Sequence, residues 1–81
     1  MEIKCNGRAF TVTDKDRILD NGACYQLITQ KYSRGFDQLT PRVSKALFRR
    51  LLRDGAIRLS ERKYKTFGGA ELDLYEFTER S

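Results

Sequence analysis

The sequence contains no histidine. A His-dependent triad, a histidine general base and a His-ligated metal site are therefore excluded within the chain. Cysteine is scarce, with only Cys5 and Cys24. They form no Cys-x-x-Cys pair and are too few for a zinc site or a disulfide framework, so a reduced, cytoplasmic protein is the simpler expectation. A Gly-rich phosphate loop is missing, because Gly68-Gly69 is not followed by a helix and a Lys-Ser/Thr pair. Long apolar runs are missing too. Met1 to Thr13 alternate instead, so neither a signal peptide, a membrane span nor a membrane partner is expected. There is no Asn-x-Ser/Thr acceptor, internal repeat or low-complexity segment.

What remains is a chain of 81 residues, 40% hydrophobic and 33% charged, with one composition throughout. That is one domain, 1–81, with one small core and a stability of roughly 4–12 kcal/mol. Sixteen Lys+Arg stand against 11 Asp+Glu, a net charge of +5. Such an excess favours a nucleic-acid partner, although an anionic membrane or an acidic protein satisfies the same charge.

The first segment reads as a hairpin. Ile3 and Cys5 alternate with Glu2 and Lys4, and Phe10 and Val12 with Ala9 and Thr11. Asn6-Gly7 is the dipeptide that a type I′ turn favours, so strands are expected near 2–5 and 8–12. Thr13-Asp14-Lys15-Asp16 then has the form of a capping box, which predicts a helix from Thr13 that stops at Asn21-Gly22. Ala23/Leu27 and Cys24/Ile28/Tyr32 repeat at four-residue spacing and predict a second helix near 23–32. Tyr25 to Thr29 is also an acceptable strand. Residues 33–40 read as a loop.

Residues 40–55 are the most informative. Thr40 is a good N-cap, Pro41 suits the first helical position and Gly55 is a natural residue just past the end. At about 100° per residue, Val43, Leu47, Phe48 and Leu51 gather on one side. Arg42, Lys45, Arg49 and Arg53 gather on the other, within roughly 80°. Arg50 lies at the edge of the apolar arc, where its stem can snorkel. Positions 41–53 contain no acid to make the usual i,i+4 pairs, and a face selected for solubility alone normally mixes signs.

After Gly55 the period changes to two, and a hairpin is expected over 57–77, turned at Gly68-Gly69. A two-residue loop sets Lys63 opposite Leu74. A three-residue loop including Ala70 sets Lys65 opposite Asp73 and Arg62 opposite Glu76, and cross-strand charge pairing favours it. The first arm is basic (Arg62, Lys63, Lys65) and the second acidic (Glu71, Asp73, Glu76), so these charges can instead satisfy one another across the ladder.

The segment Pro41 to Ile57, followed by a hairpin, resembles the recognition helix and wing of a winged helix-turn-helix domain. Phe48, Leu51, Gly55 and Ile57 match a frequent apolar/Gly spacing of that family, and the resemblance covers roughly residues 40–78. It implies an α+β, winged-helix-like domain with an N-terminal β-hairpin, two or three helices and a C-terminal β-hairpin wing. The helix would enter the major groove of double-stranded DNA, and the hairpin would lie along the backbone. Carried over, Arg42, Lys45, Arg49 and Arg53 face DNA from the helix, and Arg62, Lys63 and Lys65 from the wing. The implied role is a small transcriptional regulator or mobile-element accessory factor, without cofactor, with a homodimer or partner protein supplying tight specific binding.

Two other classes compete with this one. A small protein-interaction module, an adaptor or inhibitor, fits the apolar tip Phe67-Gly68-Gly69-Ala70 and the acidic second arm. Tyr32, Phe36, Tyr64 and Phe67 can stack on single-stranded bases, although aromatics in so small a chain are more often core. An enzyme is least expected. Asp14, Asp16 and Asp20 form a sequence cluster that can hold Mg²⁺, but capping explains the first two, and Cys24 has no histidine to activate it.

Overall fold

The computed structural model describes residues 1–29 and 40–78. Two antiparallel strands, β1 (Glu2–Cys5) and β2 (Arg8–Thr11), form the expected hairpin. Asn6 at φ 54° and Gly7 at φ 78° make the turn, both with the positive φ that a type I′ turn demands. Five further strands build one antiparallel sheet: β3 (Arg17–Asp20), β4 (Tyr25–Ile28), β5 (Arg42–Val43), β6 (Ile57–Lys65) and β7 (Glu71–Phe77). Their order is β5-β4-β3-β7-β6. A single helix, α1 (Lys45–Arg53), connects the two edge strands.

This architecture overturns the α+β, winged-helix-like expectation of two or three helices. Strands dominate, and one helix is present among the described residues. Thr13–Asp16 makes one bond of a capping box and one of a turn, with no helix to cap. The Thr13 amide donates to Asp16 Oδ2 (2.8 Å), and the Asp16 amide donates to the Thr13 carbonyl (3.1 Å). Those bonds are local and fit a single turn equally well. Ile18 and Leu19 then decide the matter. They are adjacent and both fully buried, which a strand achieves by pointing one to each face. β3 is the central strand, where both faces are covered.

Asn21-Gly22 is likewise no helix stop but part of the β3–β4 turn. Asn21 Oδ1 accepts from the amides of Ala23 (3.0 Å) and Cys24 (2.8 Å), and Gly22 has φ 89°. The helix expected near 23–32 is strand β4, paired to β3 with Leu27 opposite Ile18. The loop expected over 33–40 falls almost wholly outside the described residues.

The helix of the 40–55 segment exists but starts later than Thr40-Pro41. Arg42–Val43 is drawn into the sheet beside β4, and the Pro41 carbonyl accepts from the Leu27 amide (2.8 Å). Ser44 is the N-cap instead, its hydroxyl accepting from the Leu47 amide (3.1 Å). The C-terminus closes as the sequence predicts. The Ala56 amide reaches the Leu51 carbonyl (2.9 Å), the Gly55 amide the Leu52 carbonyl (3.2 Å), and Gly55 adopts φ 75°.

α1 presses Phe48 and Leu51 onto one sheet face, where they meet Ile18, Leu27, Val43, Ile57 and Phe77. Ile3, Cys5 and Val12 of the hairpin complete this core. Phe48 stacks on Tyr25 (centroids 3.9 Å apart) and meets Tyr75 edge-on (4.8 Å). Burial pushes the Cys5 thiol above its ordinary 9.0. Desolvation first, then the charges of Asp73 and Asp20, push the Tyr75 hydroxyl above 10.0. A group whose folded pKa is raised stabilises the fold fully below its unfolded pKa and loses that contribution as pH rises through the folded value. Stability is therefore expected to fall above about pH 9, where unfolded thiols begin to ionise. Urea midpoints measured at stepped alkaline pH test this, and a flat profile through that range contradicts it.

Candidate nucleic-acid interface

The sequence proposes seven cations as one surface, and the structure divides them into four groups. Lys45, Arg49 and Arg53 lie on successive turns of α1, and all three are exposed. They form the row that helical periodicity predicts, opposite buried Phe48 and Leu51. Lys45 and Arg49 have no ion-pair partner among the described residues. Arg53 is engaged, its Nε 3.4 Å from Asp54 Oδ1.

Arg42 does not belong to this row. It sits on β5 opposite Gln26, one position out of phase with Val43, which pairs with Tyr25 on the core side. Period two therefore turns Arg42 off the core side of β5, where it still borders a depression with Lys4 and Lys45. The helical wheel placed it wrongly because the helix begins after it.

The hairpin β6–β7 also departs from both expected registers. Lys63 pairs with Asp73, Lys65 with Glu71 and Arg58 with Glu76. The loop is Phe67-Gly68-Gly69, closed by the Thr66 amide on the Ala70 carbonyl (2.9 Å) and by Thr66 Oγ1, which accepts from the Ala70 amide (3.1 Å). This loop sets the Lys63–Lys65 register, and a bulge between Leu59 and Lys63 shifts the ladder again beyond it, where Arg58 meets Glu76. Lys63 Nζ contacts Asp73 Oδ1 at 2.5 Å, and that hydrogen bond is the main cause of its raised pKa. Lys63 is thus committed to its own ladder. Arg62, on the bulge, lines a polar depression with Arg17, Arg58 and Glu76. Glu76 bridges Arg58 (2.5 Å) and Arg17 (4.0 Å) there, which neutralises much of that cluster.

Two cations outside the seven, Lys4 and Arg50, lie beside the α1 row. Arg50 is exposed and lines a groove with Lys4, and Lys4 borders a second depression with Lys45. The alternation of β1, with Ile3 and Cys5 buried, is the signal that turns Lys4 outward. Neither Lys4 nor Arg50 has an ion-pair partner among the described residues.

Asp14, Asp16 and Asp20 do not assemble into a metal-holding group, and no such group occurs among the described residues. No helix among these residues is long and apolar enough to cross a membrane. Both cysteines are free, Cys5 buried and Cys24 half-buried. Of the stacking candidates, Tyr64 is half-buried and Phe67 fully exposed, while Tyr32 and Phe36 fall outside the described residues.

No family model, curated protein or solved structure matches the chain. The winged-helix resemblance thus rests on the spacing of Phe48, Leu51, Gly55 and Ile57 alone.

Proposed function

We propose that the protein binds duplex DNA, chiefly through the phosphates, with α1 against the groove. One observation carries this reading: Lys45 and Arg49 stand exposed on adjacent turns of an acid-free helix, with no acidic partner among the described residues. Arg17, Arg53, Arg58 and Lys63 do meet an acid, whereas Lys45 and Arg49 share one helix face that carries none. A helix of nine residues is about 13 Å long, and the major groove is about 12 Å wide, so α1 can lie in or along it. Lys4 and Arg50 flank the row and add two phosphate contacts. A domain of this size covers little DNA, so a second copy on the same duplex belongs to the proposal.

Four phosphate contacts set the expected salt response. Each contributes about 0.9 to the slope, so affinity should fall by about 150-fold between about 50 and 200 mM salt. Fluorescence anisotropy with labelled random duplex, single-stranded DNA and RNA across that series is the test. Duplex binding with this slope supports the reading. No duplex binding at the low-salt end ends it.

A protein-interaction role has one observation of its own. Phe67 is fully exposed on a closed turn, and the arm behind it is charge-balanced, with Lys63 on Asp73 and Lys65 opposite Glu71. An apolar anchor without net charge suits a protein pocket better than a phosphate backbone.

A further inference from the structure

We infer that the groove between β1 and α1 accepts an extended acidic peptide segment, which adds to the N-terminal hairpin as a strand beside β1. This inference shares Lys4, Lys45 and Arg50 with the DNA proposal and adds backbone groups of β1 that DNA binding does not use.

The ladder of β1 decides which backbone groups are available. Met1 and Val12 exchange hydrogen bonds, with the Val12 amide 2.8 Å from the Met1 carbonyl. Antiparallel pairs alternate between bonded and non-bonded, so Ile3/Phe10 and Cys5/Arg8 are the next bonded pairs. Glu2 and Lys4 are non-bonded towards β2. Their amides and carbonyls therefore point out of the hairpin on its other side, and no described residue takes them up. β1 pairs with β2 alone. Two residues at spacing two, each offering one donor and one acceptor, are the unit that an added strand engages.

The outward side of β1 is not open solvent. β5 lies close by, and α1 stands across a groove of about 610 Å³ lined by Glu2 and Lys4 on one wall and Ala46, Leu47 and Arg50 on the other. Leu47 and Ala46 provide an apolar wall for alternate side chains of the incoming strand. The charge is mixed within the groove and basic beyond it. Lys4 and Arg50 are unpaired among the described residues, and past Ser44 the groove continues into a depression bordered by Arg42 and Lys45. Glu2 opposes them, while Asp54 is held by Arg53. An occupant that alternates aliphatic and acidic side chains matches the wall and the rim together. The two edges of the five-stranded sheet are poorer acceptors. β5 has two residues, and β6 is broken by its bulge and carries charged residues through it, features that discourage pairing.

The experiment selects short random peptides displayed on phage against the full chain, then measures synthetic copies of the enriched sequences. Enriched sequences should alternate aliphatic with Asp or Glu, and should slow hydrogen exchange at the Glu2 and Lys4 amides. Lys4→Pro removes an outward donor without breaking a bond to β2 and should weaken the peptide by about tenfold or more, whereas Lys4→Ala keeps the donor and should cost less. Far-UV circular dichroism verifies that Lys4→Pro still folds. Should it unfold, the exchange measurement on the wild type decides alone. The inference is overturned by an absence of enriched peptides, by peptides that leave Glu2 and Lys4 exchange unchanged, or by equal binding to a folded Lys4→Pro variant.

Discussion

Phe48→Ala is expected to lower the free energy of unfolding by about 3–5 kcal/mol. Phe48 is 5% exposed and is the residue through which α1 holds the sheet. Its ring lies flat on Tyr25, with 6° between the planes, and meets Tyr75 at 86°. Each such aromatic pair adds about 0.5–1.5 kcal/mol beyond the area it buries, and truncation loses both at once. The two tyrosines sit on β4 and β7, on either side of central β3, so the cavity opens at the middle of the sheet. A domain of this length has roughly 4–12 kcal/mol in all, so about a quarter or more of its stability goes with one ring. Leu52→Ala, on the exposed side of the same helix at 43% exposure, should stay within about 0.5 kcal/mol of wild type. Urea titrations followed by circular dichroism compare the two. A Phe48→Ala loss as small as that of Leu52→Ala would mean that α1 does not anchor the fold.

That contrast also explains which parts of the fold were legible in the sequence. The helix core was readable because Leu47, Phe48 and Leu51 recur at helical spacing and Gly55 has one conformational purpose. The first hairpin was readable because Asn6-Gly7 lies between two alternating runs. β3 and β4 were not, because their punctuation has two meanings. Thr13-Asp14-Lys15-Asp16 can open a helix or close a turn, and Asn21-Gly22 can end a helix or join two strands. Tertiary burial chose between them. Ile18 and Leu19 both had to be covered, and a central strand covers adjacent residues where a short helix does not. Of the pairs Ala23/Leu27 and Cys24/Ile28, only Leu27 and Ile28 fall in β4, while Ala23 and Cys24 belong to the turn before it, so their helical spacing carried no meaning.

The candidate site divides along the same line. Lys45, Arg49 and Arg53 were found because a helix encodes its faces locally. Arg42 was misplaced by the position of one N-cap, Ser44 in place of Thr40. The commitment of Lys63 to Asp73 depended on the loop being Phe67-Gly68-Gly69, one residue earlier than the three-residue loop read from the glycines. Lys4 was passed over because its nearness to Lys45 and Arg50 is set by how the hairpin docks on α1, a contact between elements 40 residues or more apart.

The double substitution Lys45→Glu/Arg49→Glu is expected to reduce duplex affinity by about 100-fold or more at low salt and to cut the salt slope by about two. Two of the four proposed phosphate contacts disappear, and two carboxylates take their place against the backbone. The fold should not suffer. Both side chains are exposed and free of ion pairs among the described residues, and surface changes of this kind stay within about 0.5 kcal/mol. The first turn of α1 has no acid, so a carboxylate at position 45 also complements the positive end of the helix dipole. Lys63→Glu/Lys65→Glu is the matched comparison, because it changes the net charge equally. It removes cations that face Asp73 and Glu71 and sets like charges against each other, so it should weaken the β6–β7 hairpin while costing much less duplex affinity. Loss confined to the helix pair would locate binding on α1. Equal loss in both variants would mean that DNA responds only to the overall charge of +5, and the assignment of α1 as the contact surface would fall.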